Sequence, residues 1–185
     1  VDNAYLYKGS EITNINVTQE GTTLDLVFLD RDASFNNSFG YYYYKTSDGV
    51  SNSNMRKYIV FPNVAFSVYN GALSILKCGD KVRLLFWGDD GKLSEKFAKG
   101  YTVGWFIYHQ NENEIDITKP LITSNGYSNG GFVSVKDEKS GKTIIGVEDG
   151  ANRSFCDLLF YVDASPESSI DNPNRPNIPS DDKPI

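Results

Sequence analysis

Short apolar runs, none longer than a β-strand, recur along the chain with turn residues between them. In residues 23–28, Leu24, Leu26 and Phe28 share one face, which is the two-residue period of a strand with one buried side. The chain contains 12 Tyr and 11 Phe, and flat aromatic side chains suit a pleated surface. Helical periodicity is almost absent. The pattern predicts an all-β fold, an antiparallel β-sandwich of jelly-roll type, with a hairpin turn at Ser140–Gly141.

The 185 residues suit one well-buried domain. The final segment, residues 164–185, holds five of the seven prolines and no aromatic residue, so it cannot bury enough apolar surface to fold alone. We therefore expect a β-sandwich domain over residues 1–163, with its folded body ending near Val162. Residues 164–185 are predicted to form a Pro-rich linker or tail, polyproline-like where it docks.

Charge and cysteine content limit the function classes. The net charge is −6 and the isoelectric point is about 4.8, so a phosphate-binding basic face, and hence a nucleic-acid partner, is not expected. No apolar run has the length of a membrane span, and the N-terminus does not resemble a signal peptide. Either the chain was never exported or a signal is missing. Cys78 and Cys156 are too few for a disulfide framework, and they either pair or are both buried thiols.

The sequence contains little that indicates catalysis. His109 is the only histidine, and neither a nucleophile elbow nor a zinc-type histidine pair accompanies it. Asp89 and Asp90 could be the paired carboxylates of a glycosidase, but Asp-Asp-Gly is also ordinary turn chemistry, which we favour. The sequence therefore predicts a protein that is not an enzyme.

Four consecutive tyrosines, Tyr41, Tyr42, Tyr43 and Tyr44, place two rings on each face of a strand. The outward pair could stack on sugar rings, because an aromatic face packs on sugar C–H groups and phenol hydroxyls add hydrogen bonds. The interpretation that we favour is two core tyrosines and two surface neighbours that pair across strands. The four tyrosines are the candidate ligand-binding residues.

Oxygen side chains at alternate positions form a second candidate site at Asp30, Asp32 and Ser34. This spacing suits a loop that wraps a hard cation such as calcium. The stretch lacks the glycine and the distal glutamate of an EF-hand loop, so we favour an ordinary turn over a calcium site.

A carboxylate inside an apolar strand is the most demanding feature of the sequence. Asp157 lies within the apolar stretch Phe155–Val162, directly after a loop that contains Glu148, Asp149, Asn152 and Ser154. A buried carboxylate costs several kcal/mol unless it is paired, hydrogen-bonded or bound to a metal. Asp157 should therefore meet a partner in this loop.

Four segments resemble a known family when their order and spacing are considered together. They are VEDGANRSFCDLLFYV with Gly146 before it, ASFNNSFGYYYY, FAKGYTVGWFIYHQN, and SNGGFVSVKDEKSGKTIIGVED, and they cover most of Ala33 to Val162. The chain resembles the bacterial family called domain of unknown function 4114, which occurs in secreted, multidomain and adhesin-type proteins. The resemblance implies a β-sandwich, an exported location and a calcium-binding loop, and it implies no enzymatic activity.

The resemblance maps the calcium loop onto particular residues of this chain. The family pattern is matched at Glu148, Asp149, Phe155 and Asp157. Asn152 and Ser154 replace aspartates, Cys156 replaces an asparagine, and Gly150 alone remains of a glycine cluster. Because calcium affinity depends on the charge of the ligands, the site is either weak or vestigial. In the vestigial case Asp157 accepts hydrogen bonds from loop N–H groups as a brace, which we favour over a retained metal.

We therefore expect a non-catalytic domain of a secreted or surface-anchored protein, on the extracellular side of a Gram-negative bacterium. Its expected role is cell adhesion or extracellular assembly, with a glycan or a cell-surface protein as partner. The first alternative is a calcium-supported carbohydrate-binding module that uses surface Tyr and Trp. A glycoside hydrolase is the third hypothesis, and it requires two carboxylates that face one cleft.

Overall fold

The computed structural model describes residues 6, 8–31, 37–49, 56–61, 76–109, 122–123, 131–148, 158–171 and 175–179. Short 3-10 helices occur at Thr46–Asp48 and Glu167–Ser169. The strands are β1 (Ile15–Asn16), β2 (Thr23–Arg31), β3 (Asn37–Lys45), β4 (Arg56–Phe61), β5 (Lys81–Arg83), β6 (Phe86–Trp87), β7 (Leu93–Ser94), β8 (Tyr101–His109), β9 (Ile122–Thr123), β10 (Phe132–Asp137), β11 (Thr143–Val147), β12 (Leu158–Ser165) and β13 (Asn177–Ile178). The all-β prediction is confirmed.

Two main sheets pack face to face. The front sheet has the order β1-β8-β3-β4, and β9 also pairs with β8; the back sheet has the order β13-β10-β11-β12-β2-β5. Strand pairs are antiparallel apart from β10 with β13. Rings from both sheets meet in the core: the ring of Phe160 on β12 lies 4.8 Å from that of Phe39 and 5.0 Å from that of Trp105. This is a β-sandwich, and the jelly-roll connectivity stays a prediction.

The sequence pattern explains which faces are buried. Leu24, Leu26 and Phe28 of β2 all face the core, as their spacing predicts. Strand β12 reads as continuously apolar because both of its faces are covered: Phe160 joins the central core, and Leu159 joins a second cluster on the outer side of the back sheet.

The predicted hairpin between β10 and β11 is confirmed. Gly141 adopts φ 71°, a left-handed conformation that glycine tolerates. Its N–H donates to the Asp137 carbonyl at 2.9 Å, and the Asp137 carboxylate accepts the Ser140 N–H at 2.7 Å. Turn chemistry therefore fixed this connection locally.

The C-terminal segment belongs to the folded body where the structure describes it. Strand β12 continues to Ser165, so the predicted boundary between residues 163 and 164 falls inside a strand. Strand β13 pairs in parallel with β10, and its Ile178 is 2% exposed. The Arg175 guanidinium is also buried and donates to Ser134 Oγ at 2.8 Å. A segment too poor in apolar residues to fold alone thus docks on a sheet that already exists.

Neither expectation for the cysteines fits Cys78, which is a free and exposed thiol. It lies in the turn before β5, where its neighbour Gly79 has φ 93°. Cys156 lies outside the described residues.

Candidate functional site

The candidate calcium loop begins at a buried carboxylate. Glu148, which directly follows β11, is 1% exposed, and its backbone N–H donates to the Gly131 carbonyl at 2.9 Å. The other candidate ligands of this loop lie outside the described residues; they are Asp149, Asn152, Ser154 and Asp157. The loop therefore stays a prediction, anchored at Glu148.

The strand register brings the end of β2 and the start of β12 together at one end of the back sheet. Arg31, the neighbour of Asp32, is paired with Leu158, the neighbour of Asp157. Asp30 is exposed, and its Oδ1 accepts the Arg31 N–H at 2.8 Å; Asp32 lies outside the described residues. Within the described part of the chain, no three His, Cys, Asp or Glu side chains converge as metal ligands.

The expectation that the outward pair of tyrosines is exposed is wrong. The exposed fractions are 3% for Tyr41, 0% for Tyr42, 1% for Tyr43 and 9% for Tyr44. Tyr41 and Tyr43 face the core, while Tyr42 and Tyr44 cluster with Phe106 on the other face of the front sheet. Buried rings do not offer the open face that sugar stacking needs.

Two glycines explain how the outer face accepts the rings of Tyr42 and Phe106. Tyr42 is the register partner of Gly104, and Gly40 is the register partner of Phe106. A Cβ added to Gly104 would lie 2.2 Å from the Tyr42 ring, and one added to Gly40 would lie 2.3 Å from the Phe106 ring. Each ring therefore lies close over the glycine opposite, as in the rescue of a strand glycine by an aromatic neighbour.

Tyr41 and Tyr43, the two inward tyrosines, hold the backbone of a hairpin at Leu85 and Trp87. The sequence analysis did not identify this hairpin as a site. Tyr41 Oη donates to the Leu85 carbonyl at 2.5 Å and accepts the Leu85 N–H at 2.9 Å. Tyr43 Oη accepts the Trp87 N–H at 2.7 Å. Burial raises the pKa of Tyr41 to about 12, and burial is also the main cause that raises the pKa of Tyr43. Both hydroxyls therefore stay protonated at neutral pH.

This segment, residues 85–94, contains β6 and β7, and we call it the Trp87 hairpin. Its turn is fixed locally: Asp90 Oδ1 accepts the Lys92 N–H at 2.9 Å, and Gly91 adopts φ 74°. The interpretation of Asp89–Asp90 as turn residues is confirmed.

One face of the Trp87 hairpin is apolar and exposed. Leu85 is 37% exposed, Trp87 37% and Leu93 52%, and Trp87 is the register partner of Leu93. Phe86 points the other way and is 4% exposed, with its ring 4.8 Å from that of Tyr101. We call Leu85, Trp87 and Leu93 the hairpin patch. The alternation of Leu84 and Phe86 with Leu85 and Trp87 is the sequence signal that could have revealed this exposed face.

A pocket of about 490 Å³ opens on the Phe86 side of the hairpin. Asp89 is fixed at its rim, because Oδ1 accepts the Tyr101 hydroxyl at 3.1 Å and Oδ2 lies 3.0 Å from Lys45 Nζ. These two contacts, with Lys45 the larger cause, lower the pKa of the Asp89 carboxyl. The carboxylate is therefore ionised and oriented at neutral pH.

No protein-family model matches the chain, and no curated protein or solved structure matches it either. The resemblance to domain of unknown function 4114 therefore stays a prediction. Among the described residues, no helix has the length and apolarity that crossing a membrane requires.

Proposed function

We propose that this chain is a non-catalytic binding domain of an exported bacterial protein, and that it acts in cell adhesion or extracellular assembly. The hairpin patch is the observation that carries the proposal. The resemblance to adhesin-associated proteins supports the exported location and the adhesive role.

Three large apolar side chains are exposed together on one face of the Trp87 hairpin. Isolated apolar residues are common on protein surfaces, whereas a contiguous apolar group is typical of an interaction site. Trp is also the residue type that most often contributes large binding energies at the centre of an interface. Trp87, flanked by Leu85 and Leu93, fits that description.

The Trp87 hairpin is held in place by contacts within the domain. A loop that must become ordered on binding loses affinity, and a preorganised one does not. The backbone of the Trp87 hairpin is held at Leu85 and Trp87 by two buried tyrosine hydroxyls, and at its tip by the Asp90 side chain. The hairpin patch is thus presented in one conformation before any partner arrives.

A carbohydrate-binding module remains the second candidate, with its aromatic surface moved from Tyr41–Tyr44 to Trp87. The burial of the four tyrosines removes the original argument, and the exposed indole of Trp87 supplies a new one.

The pocket beside the hairpin gives little support to the hypothesis of a glycoside hydrolase. Although Asp89 and Asp90 face one cavity, a glycosidase needs a carboxyl group whose raised pKa lets it act as an acid. The pKa of Asp89 is lowered by Lys45 and Tyr101, so Asp89 is unsuited to that role.

Calcium is proposed only as a structural ligand of the loop that follows β11. The burial of Glu148 supports either a weak metal site or a carboxylate brace, because a carboxylate in this position needs compensation. Neither arrangement involves the hairpin patch, which lies in a different part of the chain.

The binding test uses the fluorescently labelled domain and intact cells of the organism that produces it. Trp87→Ala should weaken surface binding by about thirtyfold, which corresponds to about 2 kcal/mol for a central Trp. Ile12→Ala is the matched control, because Ile12 is an exposed apolar residue at 55% that lies outside the hairpin. Circular dichroism checks that both variants fold.

Two outcomes would contradict the proposal. One is saturable binding that Trp87→Ala and Ile12→Ala affect equally, since the hairpin patch would then have no special role. The other is the absence of saturable binding together with recovery of the native protein only from the cytoplasm.

A further inference from the structure

The edge of the back sheet at β10 is covered by a short segment from the C-terminal part of the chain, residues 175–179. This segment contains β13, which pairs in parallel with β10. The Lys136 N–H donates to the Pro176 carbonyl at 2.8 Å, and the Glu138 N–H donates to the Ile178 carbonyl at 3.0 Å. The segment is therefore bound in the way that a sheet edge binds an extended peptide, as an added strand.

Two side chains anchor the segment, one polar and one apolar. Arg175 is 8% exposed, and its Nε donates to Ser134 Oγ at 2.8 Å. Ile178 is 2% exposed and belongs to the apolar cluster of Val135 and Leu159 on the outer side of the back sheet. Backbone bonds give affinity to an added strand, and side-chain anchors give it sequence specificity. The β10 edge thus fits an arginine followed by an isoleucine three positions later.

The chain before this segment is attached to the other sheet. The Asn16 backbone N–H and side-chain Nδ2 donate to the Asp171 carboxylate at 2.8 Å and 2.9 Å, and the Asp171 N–H donates to the Asn16 carbonyl at 3.0 Å. Asp171 and Arg175 are four positions apart, which allows a span of at most about 14 Å. The segment can therefore leave the β10 edge while the attachment of Asp171 to the front sheet stays intact.

Detachment of the segment would leave a surface that another chain can use. The pairing of β13 with β10 covers only two residues of each strand, and parallel pairs are slightly less stable per residue than antiparallel ones. When the segment leaves, the Lys136 and Glu138 N–H groups lose their acceptors and Val135 loses part of its cover. An unpaired strand edge with apolar neighbours is a template for pairing with another chain.

We propose that the β10 edge of one copy of this domain binds residues 175–179 of a second copy, so that the domain assembles by strand exchange. The occupant is a second copy because the sequence that fits this edge is carried by every copy. Exchange of an identical element preserves each of its contacts and changes only the connection to the rest of the chain. The surface is separate from the hairpin patch, so the proposal stands or falls independently of the proposed function.

The test is disulfide trapping between two full-length chains that both carry Cys78→Ser and Cys156→Ser. One chain also carries Lys136→Cys and the other Asn177→Cys, because Lys136 and Asn177 are register partners on β10 and β13. Neighbouring strands lie about 5 Å apart, a separation that a disulfide bridges. After the two chains are incubated together at high concentration and oxidised, a mixed disulfide dimer should form.

Lys81→Cys is the matched control for the acceptor chain. Lys81 is also a lysine on a strand of the back sheet, but it lies on β5 at the opposite end of the strand order from β13. Its mixture with Asn177→Cys should give at most about a tenth of the mixed dimer. Ile178→Ala, added to the Asn177→Cys chain, should reduce the yield with Lys136→Cys at least about tenfold, because the apolar anchor is lost.

A chain that carries both Lys136→Cys and Asn177→Cys checks the geometry, since at low concentration it should close an internal disulfide. Strand exchange is overturned if this internal disulfide closes while the mixture gives no more dimer than the Lys81→Cys control. It is also overturned if the internal disulfide does not close, because β13 would then not lie on β10. Cell-surface binding that depends on Trp87 without any mixed dimer would reject strand exchange and leave the proposed function standing.

Discussion

Removing one hydroxyl from the core should loosen the Trp87 hairpin. In the unmodified domain the Tyr41 hydroxyl lies 2.5 Å from the Leu85 carbonyl oxygen and 2.9 Å from the Leu85 nitrogen. In the Tyr41→Phe variant both of these backbone groups lose their hydrogen-bond partner. Each such bond contributes about 1 kcal/mol, and a group left partly buried without a partner adds to the loss. We expect the free energy of unfolding to fall by about 2–3 kcal/mol.

The measurement is urea unfolding followed by tryptophan fluorescence, with Tyr161→Phe as the control. Tyr161 is 9% exposed, and its hydroxyl makes no hydrogen bond with the described residues, so its removal should cost less than about 0.5 kcal/mol. Hydrogen exchange at the Leu85 amide should also accelerate in Tyr41→Phe alone. Equal stability of the two variants would refute the claim that Tyr41 anchors the hairpin.

The raised pKa of the Tyr41 hydroxyl predicts that the stability of the domain depends on pH. Burial raises the pKa of Tyr41 from 10.0 to about 12, so the folded state holds this proton more tightly than the unfolded state. Its contribution is complete below pH 10 and is lost as the pH rises towards 12. The unfolding free energy of Tyr41→Phe should therefore fall less over this interval than that of the unmodified domain.

Three further predictions concern the packing, the C-terminal segment and calcium. Gly104→Ala should destabilise the domain by about 1–3 kcal/mol in thermal unfolding, because its Cβ would overlap the ring of Tyr42; no change would refute the close packing of that ring on the glycine. Ile178→Ala should cost about 2–4 kcal/mol in urea unfolding, whereas a residue in a free tail would cost nothing. Millimolar calcium should raise the melting temperature over that in chelator if the loop binds metal, and Asp157→Ala should abolish this shift; equal melting temperatures would support the brace.

Local patterns predicted the elements whose structure depends on neighbouring residues. The alternation of Leu24, Leu26 and Phe28 was enough to orient β2, because a strand has a fixed two-residue period. The turn at Ser140–Gly141 follows from the preference of glycine for a left-handed conformation. Such features need no knowledge of the rest of the fold.

Pairing between distant segments decided the features that the sequence did not predict. The burial of Tyr42 depends on the register that sets Gly104 opposite, 62 positions further along the chain by the residue numbers. Docking of residues 175–179 requires an existing β10 edge, which composition cannot reveal. The hairpin patch depends on bonds from Tyr41 and Tyr43 across the core.

Hydrogen–deuterium exchange of the domain, alone and mixed with surface material extracted from the producing cells, tests the central claim most directly. The hairpin patch is proposed as the recognition surface, so exchange should slow in residues 85–94 when the partner is bound, and this protection should disappear in Trp87→Ala. Protection confined to other segments, such as the end of β11 at Glu148, would contradict the claim. Recognition would then be assigned to the end of the back sheet where Glu148 lies.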